Sequence, residues 1–170
     1  MNLTGQIVGI IAIAISFLIY IQNSRFKIVF LKLVTDVLWV AHHFLISAYT
    51  AALTTFIAIV REIVFLRKDK GKETSPVVLG IFAALFCAAA IVTWRDFFST
   101  FPAIASISAT FAFSSNSIKR IRIFAFVSSV CMFVYGIRYM SVPTIINEIL
   151  TQTSIVTAFV KEYKENKRKD

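Results

Sequence analysis

Apolar and polar positions along this chain fall in long blocks, not in the two-residue alternation of a strand. Seven blocks approach the length needed to cross a bilayer: 5–22, 28–46, 49–66, 77–94, 100–115, 121–139 and 142–160. A spanning helix needs about 20 mostly apolar residues, with 17–25 the usual range. The fifth block, FPAIASISATFAFSS, is short and rich in Ser, so hydropathy alone would also accept six spans. The pattern predicts an all-α integral membrane protein with seven transmembrane helices.

The polar breaks repeat. QNSRFK (22–27) follows the first block, and 93 residues further on SSNSIKR (114–120) brings Asn116–Ser117 into the place of Asn23–Ser24 and Arg120 into that of Lys27. The same offset lays 6–72 on 99–165 without a gap, basic loop on basic loop, and SAYT (47–50) on MSVPT (140–144). Identities are sparse, so the correspondence rests on the order of breaks and charges. A three-span unit ends on the opposite side from where it began, and a second copy in the same orientation requires one extra crossing. The fourth block, VVLGIFAALFCAAAIVTW, supplies it and carries no charge. The expected organisation is 3+1+3: a first three-helix repeat (1–72), a linker helix (73–98) and a second repeat with a basic tail (99–170). Parallel repeats about an axis along the membrane normal are one of the plans used by secondary transporters.

Composition sharpens this reading. The chain is 58% hydrophobic and 16% charged, with mean hydropathy +0.77, whereas soluble domains carry about 25% charged residues. A net charge of +9 could suggest nucleic acid, but its placement argues against that partner. With the N-terminus outside, every Lys and Arg of the loops and tail lies inside except Arg95 and Arg138, while Lys32 and Arg61 fall within blocks. The positive-inside rule therefore predicts N-terminus out and C-terminus in, with the tail KEYKENKRKD against anionic lipid. Met1–Gln6 has no basic n-region and no small-x-small cleavage site follows, so the first helix is expected to be retained. Cys87 and Cys131 lie inside blocks without metal-type spacing and are expected to pack. No cofactor is implied. The expected partners are the lipid bilayer and a small polar solute, and the sequence leaves a homo-oligomer open.

The opening G-Q-x-V-G-I-I-A (5–12), the H-H-F-L-x-S-A-Y stretch at 42–49 and Arg61 resemble the YgjV family of bacterial inner-membrane proteins, over nearly the whole chain. That family is similar in plan to the PQ-loop superfamily, which includes SWEET sugar transporters and PnuC-type vitamin transporters. The resemblance implies a multi-pass protein of the bacterial inner membrane; it implies a fold more than an activity. The Pro-Gln dipeptide that names the superfamily is missing from both repeats. Pro102 stands in the fifth block and Gly9 in the matching place of the first, where either residue could let a helix bend.

Ionisable residues inside a span cost about 2.5–3.5 kcal/mol each at its centre, so each calls for a reason. At 100° per residue, Lys32, Asp36, Trp39 and His43 share a stripe within about 60°. Two readings stand: an internal Lys32–Asp36 pair at i,i+4, or an Asp36 that lines a cavity with Trp39 on the same stripe. His42 and His43 are not expected to share a metal, because adjacent helical residues point about 100° apart. They suit interfacial hydrogen bonding or a proton step. Arg61 and Glu62 read as a structural pair, with Arg61 reaching the inner interface and Glu62 open to Lys32. The last block carries Asn147, Glu148, Thr151 and Gln152 on an arc of about 140°, too polar for lipid, and the sixth offers Ser128, Met132, Tyr135 and Tyr139 on one face.

The expected substrate-binding set is therefore Asp36, Trp39, His43, Met132, Tyr135, Asn147, Glu148 and Gln152. Amide and aromatic groups suit a neutral polar compound such as a sugar, nucleoside or vitamin, and two acids without a central base suit an anion poorly. No phosphate loop, metal set or nucleophile–base arrangement is present, so no enzyme activity is expected. The first functional expectation is a small-solute transporter. The alternative is a non-transporting receptor or assembly module on the same scaffold.

Overall fold

The described residues form seven α-helices, α1 (Leu3–Tyr20), α2 (Arg25–Leu45), α3 (Tyr49–Leu66), α4 (Pro76–Val92), α5 (Thr100–Ser114), α6 (Ile118–Arg138) and α7 (Val142–Lys167). A single 3-10 turn, Phe97–Ser99, leads into α5. The computed structural model describes residues 2–20, 25–66, 74–115 and 117–167, and no strand occurs among them. Gln22, Asn23, Ser24 and Asn116 of the repeated elbows, the loop bases Arg67, Lys68, Lys70 and Lys72, and Arg168 and Lys169 of the tail lie outside the described residues, as does the side chain of Lys32.

Among the described residues two stretches, Phe97–Ser114 and Ile118–Arg138, are both long and apolar enough to cross a bilayer. Shorter apolar runs occupy Leu3–Ser16, Leu33–Leu45 and Pro76–Val92. The fifth segment, expected to be the weakest, is thus one of the two clear ones, because the 3-10 turn adds Phe97 and Phe98 to its start. In α2, α3 and α7 the apolar runs are interrupted by inward-facing polar residues, among them Asp36, Arg61 and Asn147.

Helix neighbours define the arrangement. α1 packs on α2 and α2 on α3; α5 packs on α6 and α6 on α7. Contacts of α3 with α5 and of α7 with α1 close these six into a ring, and α4 lies on the α3–α5 side. There Phe82, Phe86 and Ala90 of α4 meet Ala103 of α5, with Ile57 and Phe65 of α3 against them.

Two tight turns share one geometry. Ser47 (φ 61°) and Met140 (φ 50°) both stand in the left-handed region, 93 residues apart. In each, the next residue donates five residues back, Ala48 N to His43 O at 2.8 Å and Ser141 N to Gly136 O at 2.9 Å. The left-handed residue itself donates to Phe44 O or Ile137 O. This is the Schellman end of a helix, which favours glycine, here built twice without one.

The distribution of polarity is inverted relative to a protein in water. Ala12, Ala48, Ala51, Ala103, Ala105 and Ala112 are buried, whereas Ile10, Val77, Ile81, Ile91, Val92 and Ile137 are exposed. Buried polar groups include Gln6, Thr35, Asp36, His42, His43 and Arg61. Small residues inside let helices approach closely, and large aliphatic residues outside match a hydrocarbon solvent. Cys87 also faces outward, contrary to the packing role expected for it, because α4 turns Phe82, Phe86 and Ala90 to the bundle.

Candidate functional site

A cavity of about 400 Å³ occupies the middle of the ring. Six helices line it and α4 contributes no side chain. From α2 come Thr35, Asp36, Trp39 and His43, the stripe set by helical periodicity. From α3 come Thr54, Thr55, Ala58, Arg61 and Glu62, again one face at i, i+4, i+7. Asn147, Glu148 and Thr151 of α7, Ser128 and Met132 of α6, and Ser106 and Phe113 of α5 complete the opposite wall.

Of the eight residues expected from sequence, Asp36, Trp39, His43, Met132, Asn147 and Glu148 line this cavity, and Tyr135 and Gln152 do not. Tyr135 is 1% exposed and packs against Ala48 and Ala51 at the turn end of the bundle, one turn beyond Met132. Gln152 lies further round α7, next to Thr151, which is on the lining face.

The acids are held differently. Asn147 Nδ2 donates to Glu148 Oε1 at 3.0 Å, and no cation pairs with Glu148 among the described residues. Asp36 is buried on the facing wall. His43 is 4% exposed and stacks on Trp39, centroids 5.6 Å apart. Neither of its ring nitrogens has a hydrogen-bond partner among the described residues.

His42 turns the other way. Its Nδ1 lies 2.7 Å from Gly5 O and donates to it, which leaves Nε2 to accept from Ser141 Oγ, also at 2.7 Å. Thr144 in turn lies 2.6 Å from Ser141 Oγ. Gln6 adds a second tie: Nε2 donates to Met140 O at 3.1 Å and Oε1 accepts from Val142 N at 3.1 Å. Gly9 presses against Pro143 and the His42 ring, and a Cβ at position 9 would come within 2.7 Å of Nδ1. His42, Tyr135, Pro143, Pro102 and Thr50 form a fully buried layer at this end. The expected bending roles of Gly9 and Pro102 give way to packing ones. Pro102 sits in the first turn of α5, where its missing N–H breaks no helical hydrogen bond.

Arg61 differs most from expectation. It is 2% exposed and does not reach an interface. Its Nη1 donates to Ser106 O at 3.2 Å and Thr110 Oγ1 at 3.0 Å, and Nη2 lies 3.5 Å from Glu62. The guanidinium also stands over the rings of Phe113 and Phe86, 5.1 and 5.9 Å from their centroids. Its place on the α3 stripe with Thr54 and Ala58 follows from helical spacing, but the direction its long side chain takes does not.

An all-helical bundle with aliphatic residues outside and ionisable residues around a central cavity defines an integral-membrane class of protein. The family model described as a bacterial inner membrane protein, Imp-YgjV, matches residues 3–166. The chain belongs to this family of bacterial inner membrane proteins. No curated protein and no solved structure matches it.

Proposed function

We propose that this protein is a small-solute transporter of the inner membrane, with its pathway through the central cavity. The observation that carries the reading is the cavity itself: about 400 Å³, lined by many polar side chains, and ringed by six helices of an apolar-surfaced bundle. Its volume suits one small compound, and its amide, aromatic and hydroxyl groups suit a neutral polar one such as a sugar, nucleoside or vitamin. Arg61 does not turn the site toward anions, because Glu62 lies beside it and Asp36 and Glu148 line the same space. Binding and release, with no bond made or broken, is the activity assigned.

In this reading each helix crosses the bilayer, with the N-terminus out and the C-terminus in. The two three-helix repeats are α1–α3 and α5–α7, joined by α4, a plan similar to that of PQ-loop and SWEET transporters. Supporting it are the matched left-handed turns at Ser47 and Met140 and the matched neighbours, α3 with α5 as α7 with α1.

Uptake by proteoliposomes, against protein-free liposomes, of a panel of sugars, nucleosides and vitamins tests the assignment. Saturable uptake of one of them that falls in the Asp36→Asn variant is expected. The second reading, a non-transporting receptor or assembly module, draws on the buried layer that closes one end of the cavity. Solute binding without uptake across the whole panel selects it.

A further inference from the structure

A second space, about 520 Å³, lies on the outside of the bundle where the start of α4, the end of α5 and the start of α6 converge. Leu79, Phe111, Ile123 and Phe124 line it within the helices, with the Phe111 and Phe124 rings stacked 5.6 Å apart. Thr74, Ser114, Ser115 and Arg120 line it at the helix ends. The groove exists because α4 packs on α3 and α5, which leaves the first turns of α6 facing it across α5.

Two arginines of α6 part company here. Arg122 pairs with Glu162 of α7 and stands over Phe159. Arg120, two residues earlier and so about 200° away around the helix, lines the groove and makes no ion pair or hydrogen bond among the described residues. Ser115 Oγ accepts from Ser117 N, so its hydroxyl proton stays available to an outside acceptor.

We propose that this groove is a binding site for an anionic phospholipid. An apolar groove on the hydrocarbon-facing side of a membrane protein is filled by acyl chain, since an empty one forfeits its dispersion contacts. The chain lies against Leu79, Phe111, Ile123 and Phe124. The headgroup chemistry then decides which lipid is preferred: a guanidinium without a carboxylate and a donor hydroxyl both favour a phosphate with net negative charge. A zwitterionic headgroup brings its own ammonium against Arg120 and is disfavoured.

Thermal-shift titration of the detergent-purified full chain tests this with phosphatidylglycerol, phosphatidylcholine and glycerol phosphate. Phosphatidylglycerol should raise the unfolding temperature at concentrations where the other two do not. Arg120→Gln should weaken the phosphatidylglycerol response about fivefold, the effect of one basic side chain at an anionic surface. Arg122→Gln should leave it unchanged. Leu79→Trp, or Ile123→Trp should the first not fold, should remove the response by filling the groove. Equal responses to the two lipids overturn the proposal. So does a response that survives both Arg120→Gln and the tryptophan variant. A glycerol phosphate response equal to that of the lipid overturns it too, since the site would then be one for free phosphate esters.

Discussion

His42 Nε2 lies 2.7 Å from Ser141 Oγ, and this contact joins α2 to the start of α7 at the closed end of the bundle. The same ring holds α1 through Gly5 O. His42→Ala should therefore strand a carbonyl and a hydroxyl in a fully buried layer and leave a void. A loss of about 2–4 kcal/mol is expected, from unsatisfied groups and cavity together. Denaturant unfolding in detergent checks it, and His43→Ala, which breaks no such bonds, should cost less.

Gly9 is the close approach that lets this layer form. A methyl at that position would meet Pro143 Cβ at 2.6 Å and His42 Nδ1 at 2.7 Å. Gly9→Ala should lower stability by about 1–3 kcal/mol, the range for forced overpacking. The companion change Gly80→Ala meets nothing within 4 Å and should stabilise α4 slightly. Measuring both separates crowding from helix propensity.

The left-handed turns give an opposite expectation. Met140 is 70% exposed, so replacing it removes little packing while relieving φ 50°. Met140→Gly should leave stability unchanged or raise it by up to about 1 kcal/mol, and Met140→Val should lower it by about 1–2 kcal/mol. Thermal unfolding of the pair, in one detergent, reads the difference.

Asp36→Asn and Glu148→Gln keep shape and remove charge from the cavity wall. If these acids serve the pathway, either change should abolish uptake or its pH dependence while unfolding stays near that of the wild type. A buried structural pair behaves otherwise: breaking one costs about 3–5 kcal/mol. Lost stability with unchanged solute uptake in Asp36→Asn would sink its transport role.

Orientation has its own check. A reporter fused after Asp170 should read cytoplasmic, because in the proposed topology every loop and tail base except Arg95 and Arg138 shares a side with it, and such bases stay inside. A periplasmic signal overturns both the orientation and the odd number of crossings.

The α2 stripe was legible in the sequence because helical geometry fixes which residues share a face, whatever the helix packs against. Asp36, Trp39 and His43 needed nothing more. Arg61 was not legible by the same route. A long basic side chain near a helix end can reach an interface, and only the partners on α5, Ser106 and Thr110, show that this one turns inward. Tyr135 was misplaced for a related reason: its face was read correctly, but its depth put it one turn outside the cavity, against Ala48 and Ala51. Periodicity gives azimuth; depth and partner come from packing between segments far apart in sequence.

The outside position of α4 bears on covalent continuity. Every described side chain around the cavity belongs either to the segment ending at Glu62 or to the one beginning at Ala105. A backbone divided at Ser75 leaves each wall whole on its own polypeptide, with α4 travelling as the first helix of the second. Two such fragments, synthesised together in one membrane, carry between them everything the cavity is made of, and complementation by halves becomes a property of the architecture.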